Sequence, residues 1–142
     1  MRIIVDTREQ RPYAFDNSIR RKLPAGDYSI EGLENRVAIE RKSLQDWVNT
    51  VLYSKDRFKA ELNALRAYDF AAVVIEASLS DILAGDYKSE IKPDALLGIT
   101  VGIMQAFHPV HVVFAGDRPH AFALVDKMLS LAGERYGEKA SH

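Results

Sequence analysis

Residues Phe70 to Glu76 read Phe-Ala-Ala-Val-Val-Ile-Glu, an apolar run of strand length with no polar alternation. A strand of this kind belongs inside a sheet that is covered on both faces. The rest of the chain supplies matching parts. Arg2 to Asp6 and Val110 to Phe114 read as further buried strands, and Asp27 to Ile30 and Arg36 to Lys42 as two strands joined by a turn containing Gly32 and Asn35. Ser43, with Asp46 three residues on, has the spacing of a capping box and opens a helix with Leu44, Trp47, Val48, Val51 and Leu52 on one stripe. Ser54 caps a second helix to about Tyr68, with Phe58, Leu62 and Leu65 facing inward. Leu79 to Ala84 is a short helix stopped by Gly85, Pro93 begins a long apolar one that ends before Pro109, and Arg118 begins the last, to about Tyr136. Thr7 to Pro24, charged and without a clear period, is expected to be mostly loop. Strands alternating with helices after an early hairpin predict an α/β domain of three layers, a central mixed sheet flanked by helices.

The 142 residues fit one compact domain, 1–142, with 136–142 a frayed polar tail. The absence of cysteine removes disulfides, zinc–thiolate sites and thiol nucleophiles together, and is compatible with the cytoplasm. No apolar run approaches the roughly 18 residues that span a bilayer, and the first residues are too short a hydrophobic stretch for a signal peptide. His108, His111, His120 and His142 have no ligand-like spacing. With a formal net charge of −1, any nucleic-acid contact has to come from local patches. Two clusters qualify as phosphate contacts, Arg20-Arg21-Lys22 and Lys55, Arg57, Lys59, although such charges are more often a solvated face.

The chemistry concentrates in Gly26-Asp27-Tyr28 and Val37-Ala38-Ile39-Glu40-Arg41-Lys42. Alternation along a strand puts Ala38, Glu40 and Lys42 on one face, and Val37, Ile39 and Arg41 on the other. If the hairpin loop is Glu31 to Arg36, Ile30 pairs with Val37 and Asp27 falls opposite Glu40. Facing carboxylates destabilise a sheet unless a divalent cation lies between them. A slip of one residue would separate the two groups onto opposite faces, so the register decides. Asp6 could add a third oxygen ligand if its strand lies beside the hairpin. Such a donor set suits magnesium and not zinc, and Lys42 beside it could orient a bound water and stabilise charge on a phosphate. Each part has a plainer reading. Asp27 alone could be a turn residue, Glu40 and Lys42 an exposed pair, Asp46 a helix cap, and Arg41 a brace for the fold. Gly85-Asp86-Tyr87 repeats the earlier tripeptide but has no Glu-x-Lys after it, and reads as a helix stop.

Taken in order, Asp6-Thr7-Arg8-Glu9, Gly26-Asp27, Glu40-Arg41-Lys42 with Asp46 four residues on, and then Arg57-Phe58, the chain resembles the XPF-type nuclease domain (xeroderma pigmentosum group F family). The resemblance implies a restriction-endonuclease-like fold and magnesium- or manganese-dependent cutting of branched, forked or flapped DNA. It assigns Asp27 and Glu40 to the metal with Asp6 assisting, and Lys42 and Arg41 to catalysis, phosphate binding or local architecture. Arg8, Glu9 and Asp46 would complete the site. It also implies a homodimer formed through the later helices, where Gly98 and Gly102 allow close approach and Leu96 to Phe107 is apolar, and a nucleoid-associated place of action. Relatives often add a helicase or a tandem helix-hairpin-helix domain. Neither occurs in these 142 residues, so a partner protein could supply the grip on DNA. Two rivals stand beside this reading: a pseudo-nuclease that binds branched DNA or a partner and cuts nothing, and a hydrolase of small phosphoesters. The acidic motif speaks against the first, and the lack of a Gly-x-x-x-x-Gly-Lys loop against the second.

Overall fold

The computed structural model describes residues 1–137. The expectations for the tail beyond 137 and for His142 fall outside them. Six strands form one sheet: β1 (Ile3–Val5), β2 (Ser18–Arg20), β3 (Tyr28–Ile30), β4 (Val37–Lys42), β5 (Phe70–Ile75) and β6 (His111–Phe114). Their spatial order is β2-β1-β3-β4-β5-β6. Antiparallel pairing joins β1 to β3 and β3 to β4, whereas β1–β2, β4–β5 and β5–β6 are parallel. The sheet is therefore mixed, as the strand and helix order predicts. The helices are α1 (Leu44–Tyr53), α2 (Lys55–Leu65), α3 (Leu79–Leu83), α4 (Pro93–Ala106) and α5 (Arg118–Ala132), followed by a π-helical turn at Gly133–Gly137.

β2 departs from the expectation of a loop between Thr7 and Pro24. It is three residues long, lies at the sheet's edge and exposes Ser18 and Arg20, so it carries no apolar pattern to betray it. What makes it a strand is β1, whose backbone offers it a parallel partner from Ile3↔Ser18 to Val5↔Arg20.

Alternation divides the core into two layers of side chains. On one face Ala38, Val73 and Ile75 pack with Trp47 and Val48 of α1, Phe58 and Leu62 of α2, and Leu96 and Ile103 of α4. On the other, Val37, Ile39, Ala72 and Val74 pack with Ala121, Val125 and Leu129 of α5. Together with the helices on both sides this is the three-layer, restriction-endonuclease-like arrangement. Ser43 caps α1 by accepting the Asp46 N–H at 3.1 Å. The reciprocal half of a capping box is found instead at α3, where Ser78 and Asp81 bond each other both ways. Gly98 and Gly102 of α4 meet no neighbour; both look onto open space.

β4 positions the site. Its first half, Val37 to Ile39, is buried, and its second half, Glu40 to Lys42, is only partly so. The strand thus runs out of the dry core into an opening, with Glu40 and Lys42 on the α1/α2 side.

Candidate active site

Gly26 explains how Asp27 reaches β4. It has φ +79°, and a Cβ there would lie 3.1 Å from the Ile39 carbonyl oxygen and 3.2 Å from Ala38 Cβ. Only glycine combines that conformation with so close an approach. The next residue is then pinned from both sides. Asp27 N–H donates to the Ile39 carbonyl at 2.8 Å, and its own carbonyl accepts the Asp6 N–H at 2.8 Å. Tyr28 pairs with Ile39, and continuing that register sets Asp27 across from Glu40.

The two carboxyls line one cavity of about 280 Å³, whose walls include Asp6, Arg8, Gly26, Asp27, Glu40 and Glu61. Burial pushes Asp27 up to about 6 against the pull of the Arg41 main-chain N–H, which donates to its Oδ2 at 2.7 Å; the negative charge of Glu9 adds to the rise. Glu40 is held well above the usual carboxylate range, first by burial and then by Glu61 and Asp27; Lys42 opposes this and loses. Two groups that resist ionising side by side are the signature of a site waiting for positive charge.

Lys42 reaches the same side. Its Nζ donates to Thr50 Oγ1 at 3.1 Å, lies 4.0 Å from Glu40 Oε1 and sits over the Phe58 ring at 5.7 Å. Asp6, expected to assist at the metal if β1 lies beside the hairpin, does lie at the end of the strand next to β3 and lines the same cavity, and its oxygens are engaged by neighbours. Its Oδ1 accepts the Leu23 N–H at 2.7 Å, and its Oδ2 accepts Arg8 Nε at 2.8 Å and Arg8 N–H at 3.1 Å. Burial raises its proton affinity, but these bonds win and hold it below the ordinary aspartate value. Asp6 therefore orients Arg8, whose side chain is 65 % exposed at the cavity mouth.

Arg41 faces away, as alternation requires. Its guanidinium grips Glu9 with two bonds, of 2.8 and 2.9 Å, and Glu76 with a third of 3.0 Å. Tyr13 donates to Glu76 at 2.6 Å, Tyr28 donates to Glu9 at 3.1 Å, and Arg118 lies over the Tyr13 ring at 4.7 Å. Burial works against the Glu9 charge, yet the Arg41 fork holds its carboxyl at about 2. A buried ion cluster survives only when bonded this completely. Of the two alternatives for Arg41, the geometry favours architecture.

The remaining expected residues scatter. Asp46 is exposed at the start of α1. Arg20 bonds the carbonyls of Thr7 and Glu9, Arg21 pairs with Glu31 and Glu34, and Lys22 is exposed. Lys55 and Lys59 line a separate apolar groove against α4, with Val51, Ile99 and Phe107. Arg57 is exposed on α2 one turn before Glu61, on the same helix side. Sequence reasoning missed Glu61 and Thr50 near the carboxylates, and Tyr13, Glu76 and Arg118 behind them. Glu61 had a signal: three residues after inward-facing Phe58 and one before Leu62, it flanks the buried stripe of α2.

The donors suit one class of ion. Carboxylate oxygens without thiolate or imidazole fit magnesium or manganese. Among the described residues no group of three or more His, Asp or Glu forms a ready metal cluster. Asp27 and Glu40 would therefore hold the ion together with water, the way magnesium is commonly bound.

Comparison with known proteins agrees with this layout. Two solved structures of XPF from Aeropyrum pernix are similar to the chain, each at 20 % sequence identity. One has a TM-score of 0.69 and covers 99 % of this chain and 69 % of its own. The other, a complex with DNA, has a TM-score of 0.67 and covers 94 % and 66 %. The chain thus spans about two thirds of their length. No curated protein matches it. The ERCC4 domain matches residues 5–128, a span that holds Gly26-Asp27, Glu40-Arg41-Lys42 and every other residue of the cavity wall. The chain belongs to the ERCC4 domain family, and its fold is similar to that of XPF from Aeropyrum pernix.

Proposed function

We propose that this chain is an endonuclease that hydrolyses phosphodiester bonds in DNA with magnesium or manganese, and that it prefers forked, flapped or otherwise branched substrates. The observation that carries the reading is the Asp27–Glu40 pair, two carboxyls set opposite each other by the strand register and lining one open cavity, where a divalent cation would offset their repulsion. Asp27 and Glu40 would bind the ion, which when bound supplies a polarised phosphoryl oxygen and an acidified water. Arg8, held by Asp6 at the cavity mouth, draws in a DNA phosphate. Lys42 stabilises charge as it develops on the phosphate. Glu9, Arg41 and Glu76 hold the sheet behind the site. Contacts of this kind read backbone and shape rather than base edges, which supports a preference for structure over sequence.

The reading includes a homodimer. The groove between α2 and α4, lined by Ile99, Gly102, Ala106 and Phe107, offers an apolar face to a second copy. A monomeric mass in solution at micromolar concentration contradicts this part alone. Where the bare domain grips DNA weakly, a partner protein supplies the rest. No helix among the described residues is long and apolar enough to cross a membrane, and the reading places the protein with intracellular DNA, at the nucleoid when acting.

The test is a panel of labelled fork, flap, Holliday-junction and plain duplex DNA, incubated with magnesium, manganese or chelator. Metal-dependent cuts beside the branch support the reading. Equal cutting of plain duplex removes the structural preference, and no cutting by folded protein on any substrate leaves a binding module in its place.

A further inference from the structure

Lys42 ends β4 on a flexible four-carbon stem, so its strand fixes where the side chain starts but not where the ammonium stops. Its nearest carboxylate oxygen, Glu40 Oε1, is 4.0 Å away, well beyond the ~2.7–2.9 Å of a charge-assisted hydrogen bond. The ammonium instead donates to Thr50 Oγ1 at 3.1 Å. The Phe58 ring lies on another side of it, at 5.7 Å. Thr50 comes from the last turn of α1 and Phe58 from the first of α2. Both helices are anchored in the core, through Trp47, Val48 and Val51 on α1 and Phe58, Leu62 and Leu65 on α2. The tether is therefore as rigid as the packing under it.

We infer that Thr50 is a positioning residue: its hydroxyl, with the Phe58 ring, holds the Lys42 ammonium beside Glu40 without letting it close on the carboxylate, which stays open to a divalent cation. This rests on the nuclease reading above and deepens it. An untethered ammonium would fall onto Glu40 whenever that carboxyl ionises to take up a cation, and would compete with the cation for the same oxygens. The tether also keeps a donor where charge develops on a phosphate bound at that cation.

The test compares Thr50→Val, which keeps the shape and removes the hydroxyl, with Thr50→Ser, which keeps the hydroxyl. Three readouts are taken: manganese affinity without DNA, single-turnover cleavage at saturating DNA beside KM, and the ¹⁵N-detected ammonium signal of Lys42, which a hydrogen bond protects from exchange. Thr50→Val is expected to lose the signal, to bind manganese about tenfold more weakly and to cut about tenfold more slowly with KM for DNA unchanged, as suits loss of one hydrogen bond to a charged group. Thr50→Ser is expected to keep all three. A Thr50→Val protein equal to wild type, or a Thr50→Ser protein as impaired as Thr50→Val, overturns the inference, the second because packing would then be what matters. If wild type neither binds manganese nor cuts, it is the nuclease reading that falls. The ammonium signal alone then decides whether Thr50 tethers Lys42: lost in the valine variant and kept in the serine variant it does, unchanged in both it does not.

Discussion

Arg41 donates its main-chain N–H to Asp27 Oδ2 at 2.7 Å while its guanidinium grips Glu9 on the other face of the sheet. One residue thereby joins the carboxylate cavity to the buried ion cluster behind it. Moving β4 by a fraction of an ångström to suit one face would disturb the other.

Arg41→Met should therefore destabilise the domain before it tells anything about catalysis. It leaves Glu9 and Glu76 without their shared cation, a loss of about 3–5 kcal/mol for a broken buried pair, read as a drop in the denaturant midpoint. The pH profile carries a second signature. Because the Glu9 carboxyl is depressed from 4.5 to about 2, its contribution is present above the ordinary value and lost as pH falls toward 2. The variant should lack that part of the acid transition.

Asp27→Asn should do the reverse and stabilise the metal-free protein at neutral pH. Asp27 is raised from 3.8 to about 6, so the stability linked to it is present below its ordinary value and lost as pH climbs through about 6. A difference of that size corresponds to at most about 3 kcal/mol, shared with Glu40. Calorimetry at pH 7.5 and at pH 4 distinguishes the cases: a gain at the higher pH that vanishes at the lower one is expected, and a loss at both contradicts it.

Cleavage at limiting magnesium should rise with pH, because the protons that burial favours on Asp27 and Glu40 must leave before the ion can bind. Raising the magnesium concentration should move that rise to lower pH. A profile indifferent to magnesium would mean that some other group sets it.

Gly26→Ala should cost about 1–3 kcal/mol for the positive φ alone, with more from the contact with the Ile39 carbonyl at 3.1 Å. Relief of that contact displaces Asp27, so cleavage should fall further than the melting temperature suggests. Gly32→Ala, at φ +92° with open space around it, provides the control for φ without the contact.

How much of this was legible in the sequence follows from the range of the interactions. The turn at Gly32 and alternation along Val37 to Lys42 suggested the register that faces Asp27 with Glu40 but left a slip of one residue open, and the structure, which pairs Tyr28 with Ile39, has the facing register. Asp6 was legible as a neighbour, since β1 does lie beside β3, but not its bonds to Arg8 and Leu23, which depend on the path of an irregular loop. β2 was hidden because an exposed edge strand of three residues needs no apolar pattern. Glu76, Tyr13 and Arg118 meet across separations of tens of residues, and nothing local distinguishes them from ordinary polar positions. The ion cluster is a product of the tertiary fold.

The central claim is that the Asp27–Glu40 pair is a cation site that cuts DNA. The most direct measurement compares wild type with Asp27→Ala on a labelled fork, in magnesium and in chelator, after circular dichroism has verified that both are folded. The account predicts magnesium-dependent cuts by wild type, and a cleavage rate lower by about two to three orders of magnitude in the variant, as suits loss of a principal electrostatic contribution. A folded Asp27→Ala protein that turns over normally would contradict it.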